Sequence, residues 1–223
     1  MDDVRAAFRD ECARLEEVLG GLAPPDLDRL TPCPSWQVRD LVAHVRTGAG
    51  RLVDMLAAPA PDRAEVDAAG YFGTAKFTPK VDEDRIDSAR RAARGSAGVP
   101  EVVAGFARAW RDADAAVGGQ PPGRLVRTRH GDAMALTEFL RTRVVEVGVH
   151  GLDLAVALDR RPWLTPAAAA VIADLLTGGR PGPDALDRDP VTLIREATGR
   201  ADRTGRERDL SADAGVRRLS FGA

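Results

Sequence analysis

The sequence predicts a mainly α-helical protein, a bundle of four long helices with an extra helix and a short C-terminal extension that is α/β-like or irregular. Four segments of about 18 to 24 residues carry apolar side chains at spacings of three and four, the period of a helix. Glycine and proline separate these segments, and strand patterns are nearly absent before the last 40 residues. Amphipathic helices of this length bury their apolar sides against one another, as in a bundle.

The four long helices are expected at residues 2–19, 35–58, 100–117 and 136–158. Gly20 and Gly21 end the first, and Ser35 is expected to cap the second because its hydroxyl can accept a hydrogen bond from the first turn. Shorter elements are expected as helices at residues 83–94, 166–176 and 190–198, and as an extended piece at residues 125–126. In the tail, Leu219 and Phe221 are the apolar residues expected to anchor the chain.

Composition and charge exclude several classes of protein. The chain of 223 residues has a formal net charge of −2, so it lacks the overall basic field that would hold a nucleic acid. The two cysteines are too few for a disulfide scaffold, and no apolar run reaches the roughly 20 residues that span a bilayer. The N-terminus begins acidic and lacks the apolar core of a secretion signal. We therefore expect a soluble cytoplasmic protein without nucleic-acid or membrane partners.

A row of ionisable residues follows the apolar seam of the fourth long helix. Arg143, Glu146, His150 and Asp153 lie on one line along this helix, where burial is costly unless the charges are paired or bound to a ligand. Glu146 and His150 are four residues apart, so their side chains project from one face and can bind the same cation. The spacing alone is also typical of an ordinary surface or core pair, so both interpretations stay open.

His44 on the second helix supplies a third donor at a similar depth. It lies about nine residues into its helix, roughly 13 Å from the start, whereas Glu146 and His150 lie about 10 and 14 residues into theirs. All three therefore fall near mid-bundle whether the two helices run parallel or antiparallel. A set of two histidines and one carboxylate leaves coordination positions open, as in catalytic metal sites. The alternative is a histidine at the core edge, hydrogen-bonded to a carbonyl.

Two sequence motifs carry a resemblance to a known family. Residues 31–44 read TPCPSWQVRDLVAH, and residues 143–155 read RVVEVGVHGLDLA. In residues, order and helical placement they resemble the two motifs of the mycothiol-dependent maleylpyruvate isomerase family, which belongs to the DinB-like metal-binding bundles. The resemblance covers about residues 2–177. It implies a four-helix bundle with a divalent metal, usually zinc, on His44, Glu146 and His150.

The same resemblance implies a chemistry and a source. The family uses mycothiol, a small thiol of high-GC actinobacteria, and 30 of the 32 basic residues here are arginine, as a GC-rich genome favours. We expect a metal-dependent thiol transferase or isomerase, in which the metal activates a mycothiol-type thiol against a small electrophilic or carboxylate substrate. The alternative is a non-catalytic DinB-like protein that binds a metal or a small ligand. Fe, Ni and Mn suit the same donors, and the oligomeric state stays open.

Three residues of the two motifs are candidates for supporting roles. Asp40 either orients the imidazole of His44 one turn away or is a solvated surface residue. Asp153 either holds a ligand in place or bonds to backbone near the end of the bundle. Arg143 either pairs with Glu146, one turn further on, or binds a carboxylate of the substrate.

Three other residues are expected to take no part in the chemistry. Trp36 is interpreted as packing the start of the second helix. Cys33 precedes that helix, away in sequence from the mid-helix His44, so packing is favoured for it too. His130 is expected in an exposed loop.

The C-terminus departs from the family pattern. Residues 1–177 are expected to form the bundle and residues 178–223 a short extension, whereas longer members carry a second, α/β domain that contributes to the substrate pocket. The segment REATGR at residues 195–200 resembles a fragment of that region, so the extension is interpreted as a reduced version of it. Arg200, Arg217 and Arg218 are the candidates here for binding a substrate carboxylate, and the sequence does not identify the substrate.

Overall fold

A computed structural model describes residues 1–73, 79–95, 98–179, 189–201 and 215–219. The helices are α1 Asp2–Gly20, α2 Val38–Ala57, α3 Ala68–Tyr71, α4 Pro79–Ala93, α5 Val99–Gly118, α6 Leu136–Ala157, α7 Pro166–Thr177 and α8 Pro190–Ala197. Strands β1 Leu125–Arg127 and β2 Ala133–Ala135 form an antiparallel hairpin in which Val126 faces Met134. A short 3-10 helix covers Pro24–Asp28. The mainly helical class predicted from the sequence is confirmed.

Helices α1, α5, α2 and α6 form the bundle, in which each helix packs against two neighbours in that cyclic order. Its core holds fully buried side chains from all four helices, among them Phe8, Leu41, Phe106 and Leu140. Burying one such side chain contributes about 1.5–3 kcal/mol, so the apolar stripes of the sequence account for the assembly. Among the described residues, no helix is long and apolar enough to cross a membrane.

Helix α6 is the most enclosed element of the bundle. It contacts α1, α2 and α7, and the hairpin packs at its N-terminal end, so most of its residues are buried on every side. Arg143, His150 and Asp153 are buried with the rest. Polar groups at such positions are stable only when they find partners, and the site described below supplies them.

The start of α2 differs from the prediction. The helix begins at Val38 and not at Ser35, because Ser35 has a left-handed φ of 68°, which the extended N-cap geometry does not allow. Gln37 is the N-cap, and its backbone N–H donates to Asp40 Oδ2 at 3.0 Å. Residues 31–37 instead form a closed loop, in which the amide of Thr31 donates to the carbonyl of Trp36. Trp36 of this loop is part of the buried core.

The extended piece expected at residues 125–126 is strand β1, and its partner β2 was not predicted from the sequence.

The C-terminal segments pack onto the bundle. Helix α8 packs against α7, and the amide of Leu219 donates to the carbonyl of Ala197, so Leu219 is buried as expected. Phe221 lies outside the described residues. The division into a bundle and an extension at residue 177 stays a prediction.

Candidate metal centre and cleft

The three predicted donors meet between α2 and α6. His44 Nε2 lies 3.4 Å from Glu146 Oε2, and His150 Nε2 lies 3.5 Å from the same oxygen. Donor atoms on one tetrahedral zinc ion, each about 2.0–2.1 Å from the metal, are roughly 3.4 Å apart. The spacing of these side chains therefore suits one small divalent ion with little rearrangement.

The donor set is buried on one side and open on the other. His150 is buried, whereas the side chains of His44 and Glu146 are 20% and 18% exposed toward a cleft. A centre sealed by four protein ligands would leave no access to small molecules. Here the exposed fraction leaves room for a small molecule beside the donors.

The charge states of two of the donors favour metal binding. Burial lowers the pKa of His44 to about 4, so its imidazole is neutral at pH 7. Burial alone would raise the pKa of Glu146, but its hydrogen bonds to His150 and His44 and the charge of Arg143 outweigh it and hold that pKa well below the usual range. A neutral imidazole and a carboxylate are the forms that coordinate metals.

Asp153 anchors the third donor. His150 Nδ1 lies 2.9 Å from Asp153 Oδ2, so a proton on Nδ1 is shared with Asp153 while Nε2 faces Glu146. Burial lowers the pKa of His150, but hydrogen bonds with Asp153, Cys33 and Glu146 outweigh it and raise that pKa well above the usual value. Asp153 therefore contacts the imidazole of a predicted ligand, and its role in holding that ligand stays a prediction.

Arg200 and Cys33 both contact Asp153, which the sequence did not predict. Arg200 Nε and Nη2 each donate to a different oxygen of Asp153 at 2.8 Å. This guanidinium therefore binds a carboxylate of the protein itself, whereas the sequence made it a candidate for binding a carboxylate of the substrate. The thiol of Cys33 donates to Asp153 Oδ2 at 3.3 Å, close to His150, although its position in the sequence predicted packing away from the site. The closed loop of residues 31–37 brings Cys33 there.

Trp36 and Asp40 surround His44 in different ways. The Trp36 ring is buried with its centroid 4.9 Å from that of His44 and 6.4 Å from that of His150, so it packs against both histidines. Asp40 accepts a hydrogen bond from the backbone N–H of Gln37 at the start of α2. Asp40 is therefore a buried capping residue and not a solvated surface residue, and its predicted role beside His44 stays a prediction.

Arg143 is buried beside the donor set. Its Nη2 lies 3.9 Å from Glu146 Oε1, as the pairing alternative predicted, and its guanidinium carbon lies 4.7 Å from the centre of the Phe139 ring. Both Nε and Nη2 donate to the hydroxyl of Thr142 at 3.1 Å. Gly48 makes room for it, because a Cβ at this position would lie 3.1 Å from Arg143 Nη1.

A cleft of about 430 Å³, part of it open to solvent, leads to the donor set. Its lining residues come from α2, α3, α4, the β1–β2 turn and α6: His44, Thr47, Gly48, Arg51, Tyr71, Arg85, Ser88, Ala89, Arg129, Arg143 and Glu146. Sequence reasoning missed Arg51, Arg85 and Arg129. For Arg51 a signal existed, because it lies seven residues after His44 and so on the same face of α2.

The remaining candidates lie elsewhere. His130 is half-buried rather than exposed, and its ring centroid is 5.9 Å from that of Tyr71. Arg217 and Arg218 are exposed, and neither is among the residues that line the cleft.

Comparison with known families agrees with the resemblance of the motifs. The family described as "Mycothiol maleylpyruvate isomerase N-terminal domain" matches residues 8–155. The chain belongs to this family. The match includes both helices that contribute His44, Glu146 and His150, and it ends before Arg200. No curated protein matches the sequence.

Two solved structures share the fold of this family member. Both are of mycothiol-dependent maleylpyruvate isomerase, one of them a single-site mutant, at 15% and 16% sequence identity. Each comparison has a TM-score of 0.54 and covers 79% of this chain and 69% of that chain. At this identity the likeness establishes the helical fold.

Proposed function

We propose that this chain is a divalent-metal-dependent thiol transferase or isomerase that uses a mycothiol-type thiol on a small electrophilic substrate. The observation that carries the proposal is the donor set of His44, Glu146 and His150, spaced for one ion and open to a cleft. Membership of the family supports mycothiol as the thiol. Zinc is the metal that we propose, because two imidazoles and one carboxylate form a set typical of catalytic zinc sites.

A divalent ion held by these three residues would lower the pKa of a bound thiol, so that thiolate would be present near neutral pH. In this proposal Glu146 is a ligand and not a general base. Asp153 holds His150 by its Nδ1 proton, and Trp36 shields the two imidazoles from solvent on one side. Their packing keeps the donor atoms in place before the thiol arrives.

The substrate step is an addition to an electrophilic carbon. The thiolate sulfur forms a bond to one carbon of an activated cis double bond, and the electron pair of that double bond moves onto the activating carbonyl group. Rotation about the resulting single bond followed by elimination of the thiolate gives the trans isomer and returns the thiol. In a transfer reaction, the enolate instead takes a proton from water and the thiol adduct is released.

Metal analysis provides the first test. Protein purified without chelator is expected to contain about one divalent ion per chain, and His44→Ala is expected to lose it. His130→Ala is the matched control, because it removes a histidine outside the donor set. Equal metal content in wild type and His44→Ala, or no metal after reconstitution with zinc, would contradict the proposed site.

Thiol-dependent turnover provides the second test. Zinc-loaded protein is mixed with mycothiol and a panel of activated alkenes and epoxides, and products are identified by mass spectrometry. We expect isomerised product or a thiol adduct that depends on protein, metal and thiol together. Stoichiometric metal without turnover on any member of the panel would favour the non-catalytic alternative, a DinB-like binding protein.

A further inference from the structure

The cleft beside the donor set carries an excess of positive charge. Four arginines line it, Arg51, Arg85, Arg129 and Arg143, against one carboxylate, Glu146. These arginines come from α2, α4, α6 and the β1–β2 turn, so the folded chain brings their charges together. A concentration of like charges in a concave site raises the local concentration of anions and favours their binding.

Within the described part of the chain, Arg51 lacks the carboxylate partner that arginines such as Arg5 and Arg141 have. Arg5 donates to Asp114 at 2.6 Å and Arg141 to Asp174 at 2.8 Å, as surface arginines commonly do. Among the residues that the structure describes, Arg51 is half-buried and makes no hydrogen bond or ion pair. A guanidinium removed from water needs an acceptor, and inside the cleft no described side chain provides one at hydrogen-bonding distance.

The positive charges near Arg51 also favour the binding of an anion. Burial lowers its pKa, and the positive charges of Arg129 and Arg143 lower it further, whereas Tyr71 and Glu146 act in the opposite direction. Arg129 and Arg143 are therefore close enough to Arg51 to repel its charge. An anion placed between these guanidiniums would replace mutual repulsion by attraction.

We propose that Arg51, together with Arg129 and Arg143, binds an acidic group of the substrate, a carboxylate or a phosphate-type group. The planar fork of a guanidinium matches the two oxygens of such a group. Arg51 lies two helical turns from His44, roughly 10 Å along the α2 axis, so the acidic group binds beside the reactive centre and not on it. Only the assignment of this acidic group to the enzyme's substrate rests on the proposed function.

Calorimetric titration of the full chain with succinate and with inorganic phosphate tests this site. Succinamide, which has the shape of succinate but no charge, is the ligand control. Each titration is done on chelator-treated protein and on zinc-loaded protein. We expect Arg51→Gln to weaken binding of the preferred anion about 10- to 100-fold in both forms, as the loss of a charged hydrogen-bonding partner does. Arg108→Gln, an exposed arginine of α5, should leave binding unchanged.

The preferred probe identifies the group, because succinate stands for a carboxylate substrate and phosphate for a phosphate-type one. Equal affinity of wild type and Arg51→Gln for both anions, no binding of either anion, or equal binding of succinamide would overturn the proposal. If Arg51→Gln fails to fold, Arg51→Lys keeps the charge and loses the fork, and unchanged affinity in that variant would overturn it too. Because chelator-treated protein is included, the result is independent of whether the metal and thiol chemistry is correct.

Discussion

The ion pair of Asp153 and Arg200 joins the C-terminal extension to α6, and its contribution to stability can be measured. Asp153 is 3% exposed and the Arg200 side chain 15%, and two hydrogen bonds of 2.8 Å join them. Removing one partner of a buried pair typically costs about 3–5 kcal/mol, because the other charge stays buried without compensation. Since Arg200 keeps some contact with water, we expect about 3 kcal/mol for Asp153→Asn and a coupling energy of about 2 kcal/mol.

The measurement is a double-mutant cycle on chelator-treated protein. Free energies of unfolding in urea are determined for wild type, Asp153→Asn, Arg200→Gln and the double variant. The exposed pair Arg39 and Asp28, with side chains 32% and 61% exposed, provides a matched control cycle in the same chain. For that pair we expect a coupling energy of less than about 1 kcal/mol.

A coupling energy below about 0.5 kcal/mol for the first cycle, or one equal to the control, would refute the reasoning. It would mean that Asp153 and Arg200 do not hold each other in solution.

A second readout concerns the metal. Asp153→Asn is expected to weaken zinc binding about 10- to 100-fold in a chelator competition, because His150 loses the partner of its Nδ1.

Three further predictions concern residues around the bundle and the site. Burial raises the pKa of Glu11, so the unfolded chain loses this proton first and the contribution of Glu11 to wild-type stability falls as pH rises from about 4.5. The unfolding free energy of Glu11→Gln minus that of wild type should therefore be larger at pH 7 than at pH 4, and a constant difference in urea titrations would contradict this. Cys33→Ala is expected to change zinc affinity less than about tenfold in a chelator competition, since Asp153 keeps its other partners; a larger loss would make the thiol essential to the centre. Trp36→Phe should remove most of the tryptophan fluorescence change on zinc binding, because this ring packs against the metal-binding histidines, whereas Trp110→Phe should retain it.

Local rules accounted for the helices and for part of the site. The spacing of Glu146 and His150 predicted a shared face because an α-helix repeats every 3.6 residues, whatever surrounds it. Depth along α2 predicted that His44 would lie at their level, and the structure brings the three donors together. The start of α2 could not be predicted in the same way, because the positive φ of Ser35 belongs to a closed loop whose hydrogen bonds join both of its ends.

By itself, then, the sequence determined the four-helix bundle and the residues that are candidates for holding a metal, since both follow from periodicity within single helices. Only the tertiary structure decided what surrounds them. Arg200 reaches Asp153 across 47 residues, and Cys33 reaches it across 120. The charged cleft depends likewise on Arg51 and Arg129 meeting from separate elements. Such contacts depend on how the helices and loops pack in three dimensions, which no local pattern records.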